Sequence, residues 1–88
     1  MRVTVNIGLN NNVTGEFVYN RKFFNFDSWS TDKGNLVRVY SKDGAHMHLS
    51  EKVVAAIRIW RYLKRHEYIG NNWSVSFGPY VISKLPKP

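Results

Sequence analysis

Val3, Val5, Ile7 and Leu9 alternate with Arg2, Thr4, Asn6 and Gly8, the two-residue period of a strand with one buried face. Asn10, Asn11 and Asn12 end that run; asparagine tolerates left-handed backbone and closes tight turns, so a plain loop is the favoured reading there. A second extended run covers Gly15 to Phe26, but its apolar set changes parity: Phe17, Tyr19 and Phe23 fall on one face, Phe24 and Phe26 on the other. A bulge or bend near Phe23 accounts for such a switch. The stretch from Asp27 to Asn35, DSWSTDKGN, is rich in turn residues and reads as a loop.

Leu36 to Tyr40 reads as a short strand, Lys42-Asp43-Gly44 as a tight turn, and Ala45 to Leu49 as a further extended piece. The period then changes. From Ser50 to His66, SEKVVAAIRIWRYLKRH, the pattern fits one amphipathic helix. Val53, Ala56, Ile57, Trp60 and Leu63 gather on one side, and Arg58, Arg61 and Arg65 fall within about 60° of one another on the roughly opposite side. Ser50 is placed to cap the helix, with Glu51 at its positive end and the cations at its negative end. Gly70, Asn71 and Asn72 stop it; Trp73, Val75 and Phe77 alternate as another strand; Gly78-Pro79 breaks that strand before Tyr80 to Leu85 resumes an extended course.

The element order implies an α+β fold: a single antiparallel sheet of about four to five strands, in the order β-β-β-α-β, packed against one helix over about residues 50–67. All 88 residues are read as one domain with a frayed tail at 86–88. Phe17, Phe23, Trp60 and Trp73 are expected in the core, because a domain with little volume fills it with large rings. The uncovered sheet face is expected to display Thr4, Asn6, Lys22, Arg38, Ser74 and Ser76.

Composition narrows the class. With 43% hydrophobic and 15% aromatic residues the chain is in the folded range. The absence of cysteine excludes disulfides and thiolate metal sites and suits a reducing compartment. No apolar run reaches the roughly 18 residues of a membrane span, so a cytoplasmic location is the expectation. Thirteen Lys and Arg against six Asp and Glu leave a net charge of +7, enough to steer nucleic acid or an acidic protein surface.

That charge is clustered. Arg58, Arg61, Lys64 and Arg65 fall within eight acid-free residues. Cations near a helix C-terminus are favoured by the dipole, which accounts for Lys64 and Arg65 but not for Arg58, two turns from the end. The planar fork of arginine suits phosphate or carboxylate. Tyr62 lies beside the row on the helical wheel, and Arg21, Lys22 and Arg38 are further candidate cations. Trp29, in the polar stretch, reads equally as a lid on the core or as an interface anchor.

Catalytic signals are weak. His46 and His48 are spaced to share a strand face and could hold a metal if His66 or a carboxylate joined them, but no zinc-site spacing supports this, and no metal or cofactor is expected. No nucleophile motif, phosphate-cradling glycine loop or carboxylate pair occurs. A small RNA-cleaving toxin using only His, Arg and Tyr is the remaining enzymatic reading, and a non-enzymatic protein is expected. In general character, a compact, cysteine-free chain with asparagine-rich loops resembles the small accessory proteins of phages and mobile elements. That likeness is tied to no diagnostic residue and transfers no site.

Two functions follow as expectations. One is nucleic-acid binding, DNA or RNA, through phosphate contacts from Arg58, Arg61, Lys64 and Arg65, helped by Arg21, Lys22 and Arg38. The other is a protein-binding inhibitor, a phage-encoded and anti-CRISPR-like antagonist of a host enzyme or defence complex, docking an acidic surface with Tyr62 and Trp29 as anchors.

Overall fold

The computed structural model describes residues 1–42 and 46–84. It is an α+β fold with one six-stranded sheet and one helix: β1 (Arg2–Ile7), β2 (Val13–Tyr19), β3 (Lys22–Thr31), β4 (Gly34–Ser41), α1 (Leu49–Arg65), β5 (Trp73–Phe77) and β6 (Tyr80–Lys84). The strands lie in the sheet in chain order. Every neighbouring pair is antiparallel except β4 and β5, which α1 joins as a parallel crossover. The expected class holds, while the strand number rises to six and the expected all-antiparallel sheet is corrected at that one pair.

The extra strand comes from a turn that carries no glycine. Residues 15–26 form a hairpin and not one bulged strand: Tyr19 pairs with Lys22 across Asn20 and Arg21, whose φ angles are 51° and 63°. Two left-handed residues in a two-residue loop match the twist of the flanking strands. The turn reverses the chain and puts Phe24 and Phe26 on the same face as Phe17, which explains the parity switch. The polar stretch at 27–35 is likewise mostly strand. Its reversal is confined to Asp32 and Lys33, between Thr31 and Gly34, and Trp29 pairs with Leu36 inside the sheet. Gly34 is required at φ 135°, where an added Cβ would lie 2.8 Å from the Asn72 carbonyl carbon.

One sheet face is sealed by α1. Phe17, Phe24, Phe26, Val37, Val39 and Val75 form its buried rows, and Ala55, Ala56, Ile59 and Leu63 press on them from the helix. Phe24 stacks on Phe17 at 4.8 Å and meets Phe77 edge-on at 6.0 Å. The buried helix stripe is thus rotated from the expected one: Val53, Ile57 and Trp60 are half-buried, and Ala55 and Ile59 take the centre. Small residues at 55 and 56 bring the helix axis close to the sheet, and Trp60 flanks the contact, stacked on Trp73 at 4.4 Å. Phe23 is a second correction to the expected core, since it is 51% exposed on the opposite face.

Gly15 fixes how β1 joins the sheet. A Cβ there would overlap the Thr4 carbonyl oxygen and sit 2.7 Å from Cζ of Phe26, whose ring covers the glycine from the neighbouring strand. Neither the β1 backbone nor the buried ring can retreat without loss of packing. Gly15→Ala is therefore expected to cost about 1–3 kcal/mol, read as a lower urea midpoint with the helical circular dichroism retained.

The helix ends differ from expectation. His48, not Ser50, occupies the N-cap, and it makes no capping side-chain hydrogen bond. At the other end the helix stops at Arg65, five residues before Gly70. His66 is the C-cap, Glu67 turns left-handed at φ 63°, the Tyr68 N–H donates to the Leu63 carbonyl at 2.8 Å and the Glu67 N–H to the Lys64 carbonyl at 3.1 Å. This is a Schellman closure with a glutamate where glycine is usual. Removing the Cβ penalty by Glu67→Gly should raise stability by about 0.5–1 kcal/mol, measurable by thermal melting. Residues 46–48 form no strand. Asp43 and Gly44 of the expected turn, Ala45, and the tail Pro86-Lys87-Pro88 lie outside the described residues.

Candidate cationic interface on the helix

Helix geometry aims the arginines away from the sheet. With Ala55, Ile59 and Leu63 committed to the core by their i, i+4 spacing, residues 58, 61 and 65 must project from the other side, and all three are exposed. Their Cα atoms span about 10 Å of helix axis at 1.5 Å per residue.

Rings hold two of them. The Arg58 guanidinium lies 5.8 Å from the Tyr19 ring centroid and that of Arg61 lies 5.8 Å from Trp60. Cation–π contact of this kind orients a guanidinium and leaves its charge intact. Tyr62, half-buried, meets the His66 ring at a tilt, with centroids 4.3 Å apart. Met1, Arg58, Arg61, Tyr62 and Arg65 line an open depression of about 320 Å³. A second depression of about 360 Å³, lined by Met1, Val18, Tyr19, Asn20 and Arg58, adjoins it through Met1 and Arg58. The two form one shallow trough from the β2–β3 turn to the helix C-terminus. Arg21, exposed in that turn beside Asn20, stands at its end.

The remaining expected cations are placed elsewhere. Lys64 is half-buried and does not line the trough. Lys22 is not on the uncovered sheet face: it points to the helix side and pairs with Glu51 in the first turn of α1. Arg38 does occupy the uncovered face, but Asp27 engages it through two hydrogen bonds of 2.9 and 2.5 Å. That hydrogen bonding, reinforced by the Asp27 charge, holds the Arg38 proton more firmly than usual. Lys42 pairs with Glu16 at 2.9 Å on the same face. Trp29 lies beneath Arg38, 5.0 Å from its guanidinium, on the side of the sheet away from the helix. Tyr62 and Trp29 are thus on opposite sides of the molecule.

Three carboxylates therefore neutralise Lys22, Arg38 and Lys42. Among the described residues, none pairs with Arg58, Arg61 or Arg65. The electrostatic consequence is a polarised surface: on the open sheet face Arg38 and Lys42 are matched by Asp27 and Glu16, whereas the helix arginines carry positive charge that no carboxylate among the described residues opposes.

No protein-family model, curated protein or solved structure matches the chain. What the site can do must come from its own geometry. A small cavity under the first half of α1, between Val53, Ala56, Val75 and Phe77, has room for about 10 Å³, roughly one water centre. His46 and His48 have their rings 6.2 Å apart, but His66 sits at the far end of a 17-residue helix. Among the described residues no group of three metal-ligating side chains converges, and no helix is long and apolar enough to cross a membrane.

The Lys22–Glu51 pair carries a pH dependence. The hydrogen bond from Lys22, helped by its charge, lowers the Glu51 pKa from the ordinary 4.5. Folded Glu51 thus binds a proton less readily than unfolded Glu51, so its contribution is complete above the unfolded value and is lost as pH falls through the folded one. In thermal melts the wild-type advantage over Lys22→Met, present at about pH 6, should shrink progressively as the pH is taken below 4.5.

Proposed function

We propose that the protein is a non-enzymatic nucleic-acid-binding module that docks phosphates on the trough formed by Arg58, Arg61 and Arg65. The observation that carries this reading is the partition of the charge. Among the described residues every ion-paired cation lies off the trough, and of the three arginines that line it Arg58 and Arg61 are oriented by aromatic rings and none is opposed by a carboxylate. Guanidinium groups left unpaired in this way are poised for bidentate contact with phosphate oxygens. The roughly 10 Å along which they are spread corresponds to about three phosphate steps at 3.4 Å along one DNA strand.

Tyr19 and Tyr62 border the trough and offer ring edges or faces to bases or sugars, while the three guanidinium groups are spread at the spacing of backbone phosphates. Affinity is accordingly dominated by phosphate contacts and is sequence-tolerant. The opposing reading, an inhibitor docking an acidic protein, was expected to use Tyr62 and Trp29 together, and their placement on opposite sides of the sheet favours it less.

The test is binding of fluorescently labelled random duplex and single strands across a salt series. Affinity should fall linearly on a log–log plot, with a slope near −0.9 per phosphate contact on duplex or −0.7 on single strands. No binding to either at low salt would overturn the proposal and leave the acidic protein surface as the partner to seek.

A further inference from the structure

An open sheet has two edges, and here they are built differently. Strand β1 pairs only with β2, and among the described residues nothing flanks its outer side. Exposed edges are usually protected by an inward-pointing charge, a proline or a bulge. Strand β6 has such a guard, because Lys84 lies opposite Trp73 on the helix side of the sheet. Strand β1, RVTVNI, has none: its only charge, Arg2, points to the other face, and its pairing with β2 runs without interruption from Arg2 to Ile7.

The helix-side row of β1 is instead wholly apolar, and α1 does not cover it. Val3 and Val5 are only half-buried, Ile7 is 63% exposed, and the residues just outside the strand, Met1 and Leu9, are 55% and 89% exposed. The backbone has the matching polarity. The Thr4 carbonyl is aimed at Gly15 of β2. Because successive residues of an antiparallel strand alternate direction, the N–H and C=O groups of Val3, Val5 and Ile7 face outward.

We propose that β1 is a dimerisation edge, at which two copies of this chain pair antiparallel, β1 against β1, about a two-fold axis at Val5. In that register Val5 meets the partner's Val5 and Val3 meets the partner's Ile7. Every helix-side pair is apolar, and every outward N–H and C=O of Val3, Val5 and Ile7 finds a partner. On the opposite face Thr4 meets the partner's Asn6, and Arg2 meets the partner's Gly8, so like charges are kept apart. An isologous pairing of this kind is closed. It yields one continuous twelve-stranded sheet with both helices on the same face. The proposal is independent of the nucleic-acid reading.

The 88-residue chain is tested by sedimentation equilibrium up to about 100 µM, since an interface of one strand pair belongs to the small, weak class. The wild type should approach twice the 10.3 kDa chain mass. Ile7→Lys, at an exposed position, should remain folded by circular dichroism and sediment as a monomer. Val5→Pro, which removes only an outward N–H, should do the same; should it unfold, Ile7→Lys decides. A chain without cysteine also permits a register test. Val5→Cys should form an intermolecular disulfide under mild oxidation and Thr4→Cys should not, because only the first brings identical Cα atoms within the roughly 4.4–6.8 Å that a disulfide spans. A wild type monomeric throughout, a folded Ile7→Lys that remains dimeric, or cross-linking through Thr4→Cys in preference to Val5→Cys would overturn the proposal.

Discussion

Phe24→Ala should unfold most of this domain's margin of stability, at a cost of about 3–5 kcal/mol. Phe24 is 1% exposed, stacks on Phe17 and meets Phe77 edge-on, so its ring joins β2, β3 and β5 in one contact. A chain of 88 residues has a net stability of roughly 4–13 kcal/mol by the usual per-residue range. Truncating Phe24 would therefore consume a large share of it, and equilibrium urea unfolding should show the midpoint collapsing. The neighbouring Phe23 supplies the control. It points to the uncovered face and is 51% exposed, so Phe23→Ala should change stability by no more than about 0.5 kcal/mol. Two adjacent phenylalanines with opposite outcomes would verify the register of β3 directly.

The second large effect concerns binding. Replacing Arg58, Arg61 and Arg65 together by Ala should weaken nucleic-acid affinity by several orders of magnitude at low salt and flatten the salt dependence by about 0.9 per arginine on duplex. Stability should hardly change. The three side chains are exposed, and their removal from the helix surface eliminates like-charge crowding at the same time as it forfeits two cation–π contacts worth about 0.5–1 kcal/mol each at exposed sites. Loss of binding without loss of fold separates an interface from a structural feature, and thermal melts of the same samples provide that separation.

The helix and its cationic side were legible in the sequence because a 3.6-residue period survives in one chain segment without reference to the rest of the molecule. The class followed, since one amphipathic helix among alternating strands needs a sheet face to cover. What escaped notice has a common cause. The Asn20-Arg21 turn and the Glu67 helix stop both use left-handed backbone at residues other than glycine, so the usual punctuation was missing. The polar run at 27–35 was misleading for the opposite reason. A strand whose one face meets solvent, and whose far end reaches beyond the helix, can be polar on both sides and still pair fully with β4.

The helix phase was off by part of a turn for a packing reason. Apolar residues occupy well over half the circumference of α1, and only the close approach permitted by Ala55 and Ala56 selects Ile59 and Leu63 as the central ridge. Among site residues, exposure of Arg58, Arg61 and Arg65 was foreseeable from the period alone. The neutralisation of Lys22 by Glu51 and of Arg38 by Asp27 was not, because those pairs join residues 29 and 11 positions apart. Their partners depend on strand register, which one sequence does not encode locally. The parallel β4–β5 pairing is of the same kind: it follows from where the helix returns the chain.

The most direct measurement of the central claim compares two folded variants with the wild type for binding to a labelled random oligonucleotide at low salt. One carries Arg58→Ala, Arg61→Ala and Arg65→Ala; the other carries Arg38→Ala and Lys42→Ala on the opposite side of the sheet. Binding lost in the first and retained in the second is the result this account predicts. Equal loss in both would mean that net charge alone governs binding, and retention in the first would mean that the helix arginines do not form the docking surface; either result contradicts it.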